Sequence, residues 1–141
     1  MFILHHQETV LDMGGYNCLG IVNPEKSNKS FYISKIETNV SFMMKISLLS
    51  AKIREVGLGK DISDKIKSNI IGKRVKSSAI FYAHPVVKEG VEIIKEIETE
   101  KGIPINMVDE ELVLKPGLVL VIKAKPAEPN NKIYITVNWV E

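Results

Sequence analysis

Apolar residues along the chain fall into short clusters with two different spacings. Residues 2–4 and 19–22 are apolar and flank turn formers such as Gly14 and Gly15, which predicts a strand pair. Residues 23–30 are polar and read as a loop, after which Phe31-Tyr32-Ile33 starts a further strand. Behind Thr38 or Asn39, either a good helix N-cap, Phe42, Ile46, Leu49, Ile53 and Val56 recur at steps of four and three. Val40, Met44, Leu48 and Ala51 widen that face, and Lys45 and Lys52 lie opposite. The spacing predicts an amphipathic helix ended by Gly57. Ile62, Ile66 and Ile70 predict a second helix over about 61–71, and Val87, Val91, Ile94 and Ile97 a third. Pro85 suits the first turn of that third helix, and Gly102 its end.

Residues 78–82 and 103–108 read as strands, and Lys115-Pro116-Gly117 as a turn. Residues 118–122 form a strand apolar on both faces. Ile133, Ile135, Val137 and Trp139 alternate with Tyr134, Thr136 and Asn138, which predicts a half-buried strand. Residues 126–131 would join these last two strands as a hairpin. The expected fold is α+β (mixed α/β): one compact domain over 1–141, with about three helices packed on a mostly antiparallel or mixed sheet. Residues 1–30 would be an N-terminal strand pair and loop, and 31–141 the main α/β body.

Composition narrows the setting. A chain of 141 residues is one ordinary domain, long enough to bury about two-thirds of its unfolded surface. The longest unbroken apolar run, 118–122, is far short of the ~18 residues a membrane helix needs. The N-terminus lacks the basic flank and apolar stretch of a signal peptide. Cys18 is the only cysteine, so no internal disulfide or Cys-type zinc module is available. A cytoplasmic protein without membrane contact is expected.

Charge then singles out the middle of the chain. The net charge of +2 hides nine basic residues against three acidic ones over 45–76, a balance of +6. Over 88–111 three basic residues face eight acidic ones, a balance of −5. The basic segment is the part that would meet a polyanion.

Inside it lies Gly57-Leu58-Gly59-Lys60-Asp61-Ile62-Ser63-Asp64-Lys65-Ile66. Two glycines bracket one apolar residue; a small residue, Ser63, follows four positions after the second glycine, and Ile66 three beyond that. This resembles the helix-hairpin-helix motif of non-sequence-specific DNA-binding proteins, with Ser63 where that family usually has Ala. The glycines would turn tightly and present backbone N–H groups at the positive end of the second helix. The resemblance implies phosphate contact through Gly57 and Gly59, with Lys60, Lys65, Lys67, Lys73 and Arg74 adding charge. Lys123, Lys125 and Lys132 of the C-terminal hairpin would extend the patch. Gly-x-Gly between two helices is also an ordinary way to end one helix and begin the next. From Phe31 onward the element order, less one extra helix, is similar to the Alba-type nucleic-acid-binding fold, by analogy of order alone.

Other residues are weighed as structural. Gly59-Lys60 and Gly72-Lys73 lack the P-loop pattern. His5 and His6 are neighbours, so in a strand they point to opposite faces and cannot easily share a metal. His84 stands where a strand is expected to become a helix, a position more often capping or surface than catalytic. Cys18 reads as packed, Asp109-Glu110-Glu111 as a solvated loop, and Trp139 as packed on its sheet while Tyr134 faces the other way. No metal and no cofactor are expected.

The first expectation is therefore a non-sequence-specific nucleic-acid-binding protein, DNA or RNA, acting through the Gly-rich hairpin and its basic patch. An alternative is a protein-interaction or regulatory module that forms a homo-oligomer through its +6 and −5 segments. A further alternative is a small enzyme using His84 with a carboxylate, which a deep pocket holding His84 would favour and an open convex surface would disfavour.

Overall fold

The structure, a computed structural model, describes residues 1–11, 13–68, 76–88 and 91–141. Among these the only helical elements are three one-turn 3-10 segments, at Glu25–Ser27, Ile53–Glu55 and Ser63–Lys65. Everything else that is regular is strand. In chain order these are β1 (Phe2–Val10), β2 (Tyr16–Val22), β3 (Phe31–Val40), β4 (Met44–Lys52), β5 (Val56–Gly57), β6 (Lys60–Asp61) and β7 (Lys67–Ser68). They continue as β8 (Ile80–Ala83), β9 (Val86–Val87), β10 (Glu92–Thr99), β11 (Ile105–Asn106), β12 (Leu112–Leu114), β13 (Leu118–Pro126) and β14 (Asn131–Val140). The expected α+β fold with three helices is thus replaced by an all-β sandwich.

Two antiparallel sheets form the layers. The first has the order β11-β3-β14-β1-β7, with β12 also on β3; the second runs β10-β4-β13-β2-β8-β6. A two-stranded flap, β5-β9, stands apart. The first four strands alternate between the sheets, and the C-terminal hairpin sends β13 to the second sheet and β14 to the first. β1 lies along β14 from Phe2↔Trp139 to Val10↔Asn131. The core between the sheets centres on Trp139, 1% exposed, with the Phe2 ring centroid at 5.6 Å and that of Phe81 at 5.0 Å.

The helical spacings failed for a physical reason. Residues 40–56 are the end of β3, a turn, β4 and a 3-10 turn. On β4, Met44, Ile46 and Leu48 face the main core, while Leu49 and Ala51 face a second apolar cluster outside the sheet. A strand buried on both faces reads as a nearly continuous apolar run, into which a step of four fits as well as a step of two. Phe42, the first residue of the expected helical face, is exposed, and Thr38 is buried within β3 rather than capping anything. Of the third expected helix, residues 89–90 lie outside the described residues; the rest holds β9 and the edge strand β10, whose apolar residues are interleaved with Glu92, Lys95, Glu96 and Glu98. Charges on an exposed edge discourage further strand pairing. Of the second, residues 69–71 lie outside the described residues; the rest is β6, a 3-10 turn and β7.

That stretch works as a strap across one side of the sandwich. β6 pairs with β8 in the second sheet and β7 with β1 in the first, so residues 60–68 cross from sheet to sheet. Ile62 is buried in the core on the way. The opposite charges of the middle chain also meet within one molecule: β10 lies along β4, and Lys45 Nζ is 3.2 Å from Glu96 Oε1.

Candidate functional site

Of the described residues expected to hold phosphate, Gly57 belongs to the flap strand β5, Gly59 leads into the strap, and Lys60, Lys65 and Lys67 lie on it. Gly57 lies in β5, Lys60 in β6, Lys65 ends a 3-10 turn and Lys67 lies in β7. Lys73 and Arg74 lie outside the described residues. No α-helix begins near Gly59, so no macrodipole or row of free N–H groups stands there to receive a phosphate. The helix-hairpin-helix and Alba likenesses, and the nucleic-acid-binding reading that rested on them, are overturned by that absence of helices among the described residues. The lysines are also dispersed: Lys123 and Lys125 are on β13 in the second sheet, Lys132 on β14 in the first.

Gly59 has a packing reason instead. A Cβ there would lie 1.8 Å from the Ala83 carbonyl oxygen and 2.7 Å from that of His84. The strap presses its bare backbone onto the end of β8.

Beneath that contact is a polar cluster that the sequence reading missed. Phe2, Leu4, His6, Glu8 and Val10 share one parity on β1, and Phe2, Leu4 and Val10 are core. His6 and Glu8 therefore point inward with them. The Glu8 carboxylate is largely buried, its side chain 11% exposed, and it accepts hydrogen bonds from two imidazoles. His6 Nε2 is 2.9 Å from Oε1 and His84 Nε2 2.7 Å from Oε2. Tyr16 of β2 has its hydroxyl 2.8 Å from the same His84 nitrogen, and the rings lie 4.8 Å apart. Burial pushes the Glu8 carboxyl up, but hydrogen bonds from His6 and His84, with their charge, hold it below its ordinary value. Burial first, and then the Glu8 charge, push the Tyr16 phenol up to about 12 and raise the buried Cys18 thiol. Cys18 is packed rather than reactive.

His84 is half exposed and adopts φ +56°, a left-handed conformation rare for a residue with a side chain. Its N–H donates to the Cys18 carbonyl, and Asn17 Nδ2 donates to the carbonyl of the next residue, Pro85. The two imidazoles address different oxygens of one carboxylate, and among the described residues no three His, Cys, Asp or Glu side chains are placed to share a metal ion.

A concave site lies on the other side of the same strands. One end of the outer face of the second sheet is apolar: Val22, Leu49, Ala51, Val119 and Val121 form a second buried cluster with Val56 and Val87 of the β5-β9 flap. The flap covers only part of it. Beside it runs an open groove of about 700 Å³, floored by Val22, Ile80 and Leu118 and walled by Ile53, Leu58 and Tyr82. Lys26, Lys52 and Arg54 stand on its rim, with Glu25 as the one carboxylate among the lining residues. Glu55 is close by, but its carboxylate accepts the Lys52 backbone N–H at 2.8 Å. None of the three cations makes a salt bridge among the described residues. Burial first, and then the Asp61 charge, push the Tyr82 phenol above its ordinary value.

No helix among the described residues is long and apolar enough to cross a membrane. No family model matches the chain, and no curated protein matches it in sequence. Among solved structures it is similar to the crystal structure of the Yersinia pseudotuberculosis-derived mitogen, at 14% identity and a TM-score of 0.42, over 99% of this chain and 86% of that one.

Proposed function

We propose that the chain is a ligand-binding sandwich whose site is the groove beside the flap, and that its ligand is a small amphipathic anion with an apolar body and one acidic head. The observation that carries this is an apolar groove lined by three cations that make no salt bridge among the described residues. A groove of about 700 Å³ is of ligand size, and apolar lining with a few placed polar groups is the usual make-up of such sites. The apolar body would cover Val22, Ile80 and Leu118, while the head would be drawn to Arg54 and Lys52. Arg54 offers the planar fork that matches a carboxylate or sulfonate.

The test is titration with 1-anilinonaphthalene-8-sulfonate, read by fluorescence, followed by displacement with decanoate and with decanol. Decanoate should displace the dye at concentrations at least about tenfold lower than decanol, a difference of roughly 1.4 kcal/mol. Arg54→Glu should weaken dye and decanoate alike and leave decanol unchanged, and Leu58→Asp should abolish all three. Absence of dye binding, or equal displacement by the acid and the alcohol, would sink the reading.

A further inference from the structure

The polar cluster and the groove share their scaffold. β2 carries Tyr16 and Cys18 toward the cluster and Val22 toward the groove; β8 carries Ile80 and Tyr82 on the groove side and leads directly into His84. Glu8 belongs to β1 in the first sheet, whereas Tyr16 and Cys18 lie on β2 of the second and His84 directly follows its β8. The Glu8–His84 contact therefore ties the two sheets together at this side. His84 is held in a left-handed conformation at the point where the Gly59 backbone rests on the carbonyls of Ala83 and His84. Lys60 is paired with Ala83 next door, and Leu58, on the other side of Gly59, is a wall of the groove. A contiguous chain of contacts thus runs from the Glu8 carboxylate through the His84 ring and the Ala83–His84 backbone to Gly59 and Leu58.

We propose that Glu8 and His84 form an acid-released latch that holds the Leu58 wall of the groove in place. The groups facing Glu8 are His6 on its own strand, Tyr16 and Cys18 on β2, and His84 beyond β8; no lysine or arginine pairs with it among the described residues. Phenol and thiol are both pushed upward and carry no charge near neutrality. When Glu8 takes up a proton it can no longer accept at both oxygens as an anion, and any charge on the two imidazoles is left facing a neutral acid. The His84 turn then loses the bond that offsets its backbone strain. Because the folded carboxyl lies below its ordinary value of 4.5, the latch is fully closed above that pH and opens as pH falls through the lowered value.

The effect on a ligand rests on the groove reading above; the latch itself does not, and the experiment separates them. Amide hydrogen exchange is measured over residues 57–61 and 82–84 in the native chain, Glu8→Gln and His84→Ala, from pH 7 into acid, as protection factors corrected for intrinsic rate. His84→Ala, a change at a half-exposed side chain, serves if Glu8→Gln does not fold. At pH 7 either variant should exchange at least about tenfold faster at these amides, with β3 and β14 unchanged. Over residues 82–84 the native chain should reach the same loosening in acid, and Glu8→Gln should lose nothing further there; at 57–61 Asp61, whose carboxylate accepts the Ser63 N–H at 2.8 Å, adds an acid loss common to every variant. Glu141, the other buried carboxylate held low, binds Ser78 and Trp139 and so reports at a different place. Native protection at 57–61 in both variants at pH 7, or an acid loss at 82–84 that persists in Glu8→Gln, overturns the latch. Faster exchange with unchanged dye affinity overturns its hold on the groove wall, whereas dye that never binds the native chain at pH 7 refutes the groove reading and leaves the latch to be judged on exchange.

Discussion

The outer faces of the two sheets are built on opposite rules. On the first sheet, β14 buries Ile133, Ile135, Val137 and Trp139 while Lys132, Tyr134 and Val140 stand out at the surface, Tyr134 at 42% exposure. One face is core and the other is water, as an antiparallel sheet allows. At one end of the second sheet both faces are apolar, since Leu120 and Ile122 of β13 enter the main core and Val119 and Val121 enter the outer cluster, while Lys123 and Lys125 stand exposed farther along the same strand. An apolar outer face needs a cover, and the chain supplies one from the short β5-β9 flap. The cover is incomplete, and the uncovered margin is the groove. A binding site is thus located by asking which face of a sandwich buries too much for its own strands to shield.

The comparison is broken most directly by placing the same charge on each face. Val121→Glu puts a carboxylate into the outer cluster, where Val121 is fully buried. An unpaired buried charge should cost about 3–5 kcal/mol in urea denaturation at neutral pH. Gln7→Glu, on the exposed side of β1, should stay within about 0.5 kcal/mol of the native chain. Equal costs would mean that the outer face of the second sheet is not a core at all, and the groove beside it would lose its floor.

How much of this was legible depends on which face a strand shows. β14 was readable because its two faces differ, and alternation survives in the residues themselves. β13 was readable as a buried strand because its apolar run is short and begins at a Pro-Gly turn. β4 was misread because two buried faces erase the alternation that separates strand from helix. β10 was misread because its isoleucines, spaced for a helix, are partly exposed on an edge strand with a register shift between Ile93 and Lys95. The cluster at Glu8 had a signal that went unused. Extended past residue 4, the parity of β1 places His6 and Glu8 in line with Leu4 and Val10, and a carboxylate in a core row demands partners. Those partners, Tyr16 and His84, come from β2 and from beyond β8, and only the strand pairing brings them there. The groove had no such signal, because Lys26, Lys52 and Arg54 reach one rim through the turns that join different strands.

The smallest expected effects discriminate most sharply, because they fall on the two glycines of the Gly57-Leu58-Gly59 segment. A tight inter-helix hairpin would require both. In the sandwich their surroundings differ. A Cβ on Gly59 meets backbone carbonyl oxygen at 1.8 Å, and no flexible side chain can move aside to admit it. Gly59→Ala should therefore cost about 1–3 kcal/mol in urea denaturation and loosen Leu58 with it. A Cβ on Gly57 meets only the Val86 side chain at 3.4 Å and the Val86 carbonyl oxygen at 3.6 Å, in an ordinary backbone conformation. There the reduced entropy of the unfolded chain should dominate, and Gly57→Ala should leave stability unchanged or raise it by up to about 1 kcal/mol. Equal losses at the two positions would argue against the strap packed on β8. A loss at Gly59 alone would fix the strap as the element that joins the cluster to the groove.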